Sequence, residues 1–150
     1  KGDIIAKASS LWIFVDIIKK RPVRIPSEIL ESYKAVNEYS FDDFNDFKEE
    51  LSIGNYFDFH VRRADIDYNN HVNNTVYLNW MLEVVPEEIY ENFLLREFEI
   101  IYKKESKYGD IILSGIKEMN NNNDHITFYH NIKNKKTDIV HASGISLWEK

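Results

Sequence analysis

The chain contains no cysteine, so it has no disulfide framework, no thiolate nucleophile and no Cys-based zinc site, and a reduced, cytoplasmic setting fits. Long apolar runs are also missing. The longest one near the start, Leu11 to Val15, falls far short of the roughly 20 residues needed to cross a bilayer, so neither a membrane span nor a secretory signal is expected. There is no excess of positive charge. A net charge of -6 argues against a nucleic-acid partner, which would need a basic face to neutralise phosphates. A Gly-rich phosphate loop and a Gly-x-Ser-x-Gly elbow are likewise absent, which speaks against a nucleotide site and an α/β-hydrolase. What remains is an ordinary globular composition, 43% apolar and 29% charged over 150 residues, enough for one complete domain with something left over.

The two ends of the chain resemble each other. Asp3-Ile4-Ile5-Ala6-Lys7-Ala8-Ser9-Ser10-Leu11-Trp12 and Asp138-Ile139-Val140-His141-Ala142-Ser143-Gly144-Ile145-Ser146-Leu147-Trp148 both open Asp-Ile-aliphatic and close Ser-Leu-Trp, at nearly equal offsets. Small and polar residues alternating with aliphatic ones read as a strand with one buried face, and a repeat of this kind points to duplication. The chain opens on Lys1, and the repeat leads us to expect residues 1–26 to be the tail of an upstream, related domain plus a linker. The linker would be Lys19-Lys20-Arg21-Pro22-Val23-Arg24-Ile25-Pro26, with two prolines and no apolar period. Residues 27–150 would then form the main domain. It starts with connecting structure: a short helix from Ser27 to Asn37 opened by Ser27, and a segment from Phe41 to Glu50 alternating Phe with acids.

Phe57, Phe59 and Val61 alternate with Asp58, His60 and Arg62, which predicts a half-buried strand. Val76, Tyr77, Trp80, Met81 and Val84 mark the buried stripe of a helix over 75–85, with Asn73 or Asn74 as N-cap and Pro86 as its end. Strands follow over Leu94–Glu105, Gly109–Met119 and His125–Lys133, with a turn through Asn120 to Asp124, and a last strand carries Trp148. One long helix against a curved antiparallel sheet is an α+β layout of the hot-dog type.

The densest polar run, Asp65-Ile66-Asp67-Tyr68-Asn69-Asn70-His71-Val72-Asn73-Asn74, stands just ahead of that helix. A helix N-terminus presents free backbone N–H groups and partial positive charge, suited to the oxyanion of acyl transfer, so Asn73 and Asn74 mark a candidate oxyanion site. In an extended loop Asp67, Asn69 and His71 would point to one side and share a pocket. Packing alone allows another reading, with Asp and Asn as turn and cap formers and His71 as a structural histidine. His125 and His130 lie five apart on a strand and so make a poor metal pair.

Asp67-x-Asn69-x-His71-Val72-Asn73-Asn74, followed by Tyr77, Trp80 and Glu83, closely resembles the catalytic segment of the acyl-acyl-carrier-protein (acyl-ACP) thioesterases. Tyr102-Lys103-Lys104-Glu105-Ser106 resembles that family's aromatic-basic-basic-Glu-Cys run, and Trp12 with Lys20 to Pro26 resembles the end of its first hot-dog domain and linker. The resemblance implies two tandem hot-dog domains, a polar network of Asp67, Asn69 and His71, and Glu105 as an acidic partner that activates or positions a water. Ser106 stands where many relatives have Cys, and a serine without a dedicated base is a poor nucleophile. Asp65 is expected as a loop cap and Glu83 as structural. No metal or organic cofactor is implied. The implied partner is an acidic acyl carrier protein, met by Arg62, Arg63, Lys103, Lys104 and Lys107, and a homodimer or tandem hot-dog pairing is expected. Two other readings stay open, an acyl-CoA hot-dog thioesterase and a non-catalytic acyl-binding module.

Overall fold

A computed structural model describes residues 3–34, 39–40, 51–122 and 124–150. The chain divides into two compact units, Lys1–Asn45 and Asp46–Lys150.

In the first unit, residues 3–14 have no regular secondary structure, so the strand expected over Asp3 to Trp12 is not formed. Side-chain alternation makes a strand only when a neighbour completes its hydrogen-bond ladder, and no described residue pairs with this stretch. The expected linker instead folds back: β1 (Val15–Asp16) pairs antiparallel with β2 (Arg21–Pro22). The Asp16 carboxylate closes the turn by accepting from the Ile18 and Lys19 amides at 2.9 and 2.8 Å, and Lys20 takes a φ of 50°. Helix α1 spans Ser27–Ser32 with Pro26, not Ser27, at the N-cap position. The expectation for Phe41 to Glu50 lies outside the described residues.

In the second unit the chain runs β3 (Tyr56–His60), a 3-10 turn (Arg63–Asp65), α2 (Asn74–Leu82), α3 (Glu87–Asn92), β4 (Leu94–Tyr102), β5 (Ile111–Asn122), β6 (His125–Asn134) and β7 (Val140–Glu149). The strands form one antiparallel five-stranded sheet in the order β3-β5-β6-β7-β4. Several boundaries depart from expectation, and β5 runs on to Asn122 through most of the expected Asn120–Asp124 turn, because Asn120, Asn121 and Asn122 pair with Thr127, Ile126 and His125. Helix α2 stops at Leu82, and the chain re-enters a helix, α3, immediately after Pro86, with Glu87 and Glu88 favourably placed in its first turn. Strand β4 stops at Tyr102, because the Lys103 and Lys104 amides both donate to the one carbonyl of His141, at 2.8 and 3.1 Å, which breaks the ladder rhythm. Strand β5 starts only at Ile111, after Gly109 turns the chain with a φ of 88°.

The stripe predicted on α2 is the one that is buried. Tyr77, Trp80 and Met81 join Val61, Val72, Ile112, Ile132 and Ala142 in the core, and Val85, Ile126, Phe128 and Trp148 continue it. Small residues on the facing strands let the helix come close. At Gly144 of β7 a Cβ would sit 2.8 Å from the Glu99 carbonyl of β4 and 3.2 Å from the Met81 sulfur of α2. The buried Ser114 hydroxyl donates to the Trp80 carbonyl at 2.9 Å, satisfying one of the acceptors that a helix C-terminus leaves open. His130 lies fully buried in the same layer, 2.8 Å from the Ser146 hydroxyl, and burial pushes its pKa down to about 3. His125 is exposed, so the two histidines do face apart.

Candidate active site

The polar run between β3 and α2 is a folded turn, not the extended segment whose side chains would alternate. Asp67 and His71 close it through backbone and side chain together. The Asp67 amide donates to the His71 carbonyl at 2.8 Å, while the Asp67 carboxylate accepts from the Asn69 amide at 2.8 Å and the His71 amide at 3.3 Å. Asn70 completes the turn with a φ of 63°, which Asn tolerates better than most residues. The expected row of Asp67, Asn69 and His71 side chains on one side is therefore not what forms. Short-range bonding of Asp to the backbone overrides the period-two geometry of a strand. Asp67 holds the turn, Asn69 sits exposed at its tip, and His71 is carried on its closing arm.

Asp65 anchors the start of the turn. It is 2% exposed and binds Arg62 twice over, its carboxylate accepting from the Arg62 amide at 2.7 Å and from the guanidinium at 2.8 Å. The hydrogen bonds to Arg62 hold its carboxyl below the usual range, more than burial raises it. The Asp65 carbonyl also receives the Asn73 amide at 2.9 Å, and Ile66 bridges Val72, so the base of the turn is pinned. Asp65 is a cap, as its position suggested.

From the far side comes the loop after β4. The Val72 amide donates to the Ser106 carbonyl at 3.1 Å, and the Ser106 amide donates to the buried Tyr77 hydroxyl at 2.8 Å. Desolvation raises the Tyr77 pKa, so its phenol stays neutral and serves here as an acceptor. These bonds bring Glu105 to His71, with Oε2 3.0 Å from Nε2. The two side chains are 49% and 40% exposed, so a substrate can reach them. Two residues beyond His71 in sequence, Asn73 caps α2. Its side chain accepts from the Thr75 amide at 2.9 Å and its carbonyl from the Val76 amide at 2.9 Å. Neither bond takes the Asn74 N–H, the first amide of the helix. The Tyr102 hydroxyl donates to the Asn74 carbonyl at 3.0 Å, tying the end of β4 to the start of α2.

Ser106 is fully buried and has a partner that the sequence did not suggest: its Oγ lies 2.7 Å from Nδ1 of His141 on β7. The view that it has no imidazole beside it is corrected by this contact. Burial lowers the pKa of His141, so the ring is held neutral. Only its place in register opposite the end of β4 brings His141 here; in sequence it is one of several polar residues, with Ser143 and Ser146, on an alternating strand. The basic residues lie around the site and are exposed. Arg62 is bound to Asp65, the Arg63 guanidinium sits 4.4 Å above the Tyr108 ring, Lys103 and Lys104 flank the end of β4, and the Lys107 amide bonds the Asp110 carboxylate at 2.9 Å. Among the described residues no group of three or more His, Cys, Asp or Glu is arranged to hold a metal, and no helix is long and apolar enough to cross a membrane.

Comparison with known proteins bears on the family and the fold. The chain is 28% identical over 122 residues to oleoyl-acyl carrier protein thioesterase 2, chloroplastic, of Arabidopsis thaliana, covering 74% of this chain and 33% of that protein. It is 28% identical to the dodecanoyl-[acyl-carrier-protein] hydrolase, chloroplastic, of Cinnamomum camphora, covering 75% of this chain and 31% of the relative. The chain thus spans about a third of the length of these curated relatives. Among solved structures, the 12:0-ACP thioesterase from Umbellularia californica superposes with a TM-score of 0.75 at 18% identity, over 90% of this chain and 51% of that one. A 1,4-dihydroxy-2-naphthoyl-CoA thioesterase from Synechocystis superposes with a TM-score of 0.56 at 14% identity, over 63% of this chain and 79% of that one, and the two together establish the hot-dog fold. The family model of the acyl-ACP thioesterase C-terminal domain matches residues 48–150, the span that holds β3 to β7 and the His71–Glu105 pair, and the chain belongs to that family.

Proposed function

We propose that this chain is the catalytic end of a cytoplasmic thiolester hydrolase that cleaves fatty acyl-ACP, releases the free fatty acid and so ends chain elongation in fatty acid biosynthesis. The observation that carries the reading is the exposed His71–Glu105 pair, 3.0 Å apart, beside the capped amino end of α2. The Glu105 carboxylate, bonded directly to His71, takes a proton from a water bound beside the pair, and the water oxygen bonds to the thioester carbonyl carbon. The oxyanion that forms is stabilised by the Asn74 N–H and the positive end of the helix, with the Asn73 side chain keeping that end in shape. When the carbon–sulfur bond breaks, the proton on Glu105 passes to the leaving thiolate. Asp67 and Asn69 act by holding the turn that presents His71. Nothing is required of Ser106, which no acyl carbon can reach without opening the core.

An acidic carrier is met by Arg62, Arg63, Lys103, Lys104 and Lys107, exposed around the pair. The cysteine-free composition supports a cytoplasmic setting. The test is single-turnover hydrolysis of acyl-ACP and acyl-CoA of equal chain length by the full chain. We expect acyl-ACP to be cleaved at least about tenfold faster, with the preference shrinking as salt screens the basic rim. Equal rates would favour the CoA reading, and tight acyl binding without turnover would favour a binding module.

A further inference from the structure

We propose that His141 is a positioning residue that holds Glu105 against His71. The inference rests on the hydrolytic reading above and adds to it a group with no contact to substrate. Residues 103–106 leave the sheet after Tyr102 and carry an exposed carboxylate, and such a side chain on a loose loop would seldom stay 3.0 Å from one partner, because fixing it costs rotamer and backbone freedom. Here the loop is held on both sides of Glu105. Ahead of it, the Lys103 and Lys104 amides converge on the His141 carbonyl at 2.8 and 3.1 Å. Behind it, the Ser106 hydroxyl lies 2.7 Å from Nδ1 of the same residue, and the Ser106 backbone is bonded to Val72 and Tyr77. One residue of β7 therefore grips the loop at both ends, through its main chain and through its ring. His141 is 4% exposed and Ser106 0%, so the pair is sealed from substrate and serves as an anchor, not as a base with its nucleophile.

The experiment compares His141→Ala and His141→Asn in the full chain, since an Asn amide places a hydrogen-bonding atom close to where Nδ1 lies. We expect His141→Ala to lose about tenfold in kcat with KM within about twofold, and His141→Asn to recover to within about threefold of the parent. In a Glu105→Ala background, adding His141→Ala should change the rate by less than about twofold, because the residue acts only through Glu105. Hydrogen exchange of the Ser106 amide should accelerate in His141→Ala and not in His141→Asn. Should the alanine variant fail to fold, His141→Gln, whose amide lies one methylene too far, replaces it with the same expectations. A full tenfold further loss in the Glu105→Ala background, no rescue by Asn, or unchanged Ser106 exchange would each overturn the proposal. If the parent hydrolyses no thioester at all, the functional reading falls, while the exchange measurement still decides whether His141 clamps the loop.

Discussion

Two carboxylates border the same turn and are treated in opposite ways. Asp65 lies buried and fully engaged by Arg62 and the backbone, whereas Glu105 stands half-exposed beside His71. The histidines divide in the same manner, with His130 sealed under α2 and His71 open at the rim. The difference teaches where chemistry is available. A group sealed inside the protein shapes the fold, and only a held but uncovered group can exchange a proton with substrate or water.

The sharpest test of the buried side is acid. His130 has its pKa depressed to about 3, so between the unfolded value near 6.5 and 3 the unfolded chain binds a proton that the folded chain refuses. The stability due to the neutral ring is fully present above about 6.5 and is lost as the pH falls through that window, by on the order of 5 kcal/mol in total. Denaturant titrations across that range should show it, and a His130→Gln variant should have a slope shallower by one proton; an unchanged slope would place the effect elsewhere. On the open side, Glu105→Ala and His71→Ala should each cost about a hundredfold or more in single-turnover rate while the melting temperature moves by no more than about 2 °C. A melting temperature that collapsed with activity would erase the contrast with Asp65. Asp65→Ala should do the reverse, losing about 1–2 kcal/mol of stability through the broken cap, with a smaller effect on rate once the protein is kept folded by lower temperature. The smallest effect is expected at Ser106→Ala, within a few-fold of the parent, and no acyl group should be found on Ser106 by mass spectrometry of the quenched enzyme. A trapped acyl-enzyme there would replace the water route with covalent catalysis.

Much of this was legible in the order of residues. The apolar stripe of α2, its Asn73 cap, the strands around Phe59, Ile112, Phe128 and Trp148, and the cap role of Asp65 all follow from local periods and side-chain chemistry, which act over a few residues. Asp67, Asn69, His71 and Glu105 are legible as residues, with Glu105 as acidic partner through the family resemblance, but the expected row of three side chains on one side is replaced by a turn. The turn at Asn70 and the early end of β4 are decided by which backbone groups find partners, and alternation along the chain is blind to that. The strand expected over Asp3 to Trp12 fails for the same reason, since a pattern suited to a sheet does not supply the neighbouring strand.

By itself, then, the sequence determined the five strands and the central helix of the second unit, the face of α2 that is buried and the residue types gathered ahead of it, because these depend on propensity and hydrophobic period. Tertiary structure alone decided that Glu105 meets His71 and that His141 lies beneath Ser106. Those meetings join residues 34 and 35 apart, the first through the docking of the loop after β4 on Val72 and Tyr77 and the second through the antiparallel register of β4 with β7, and both are set by the packing of whole strands against the helix, a quantity no local window contains.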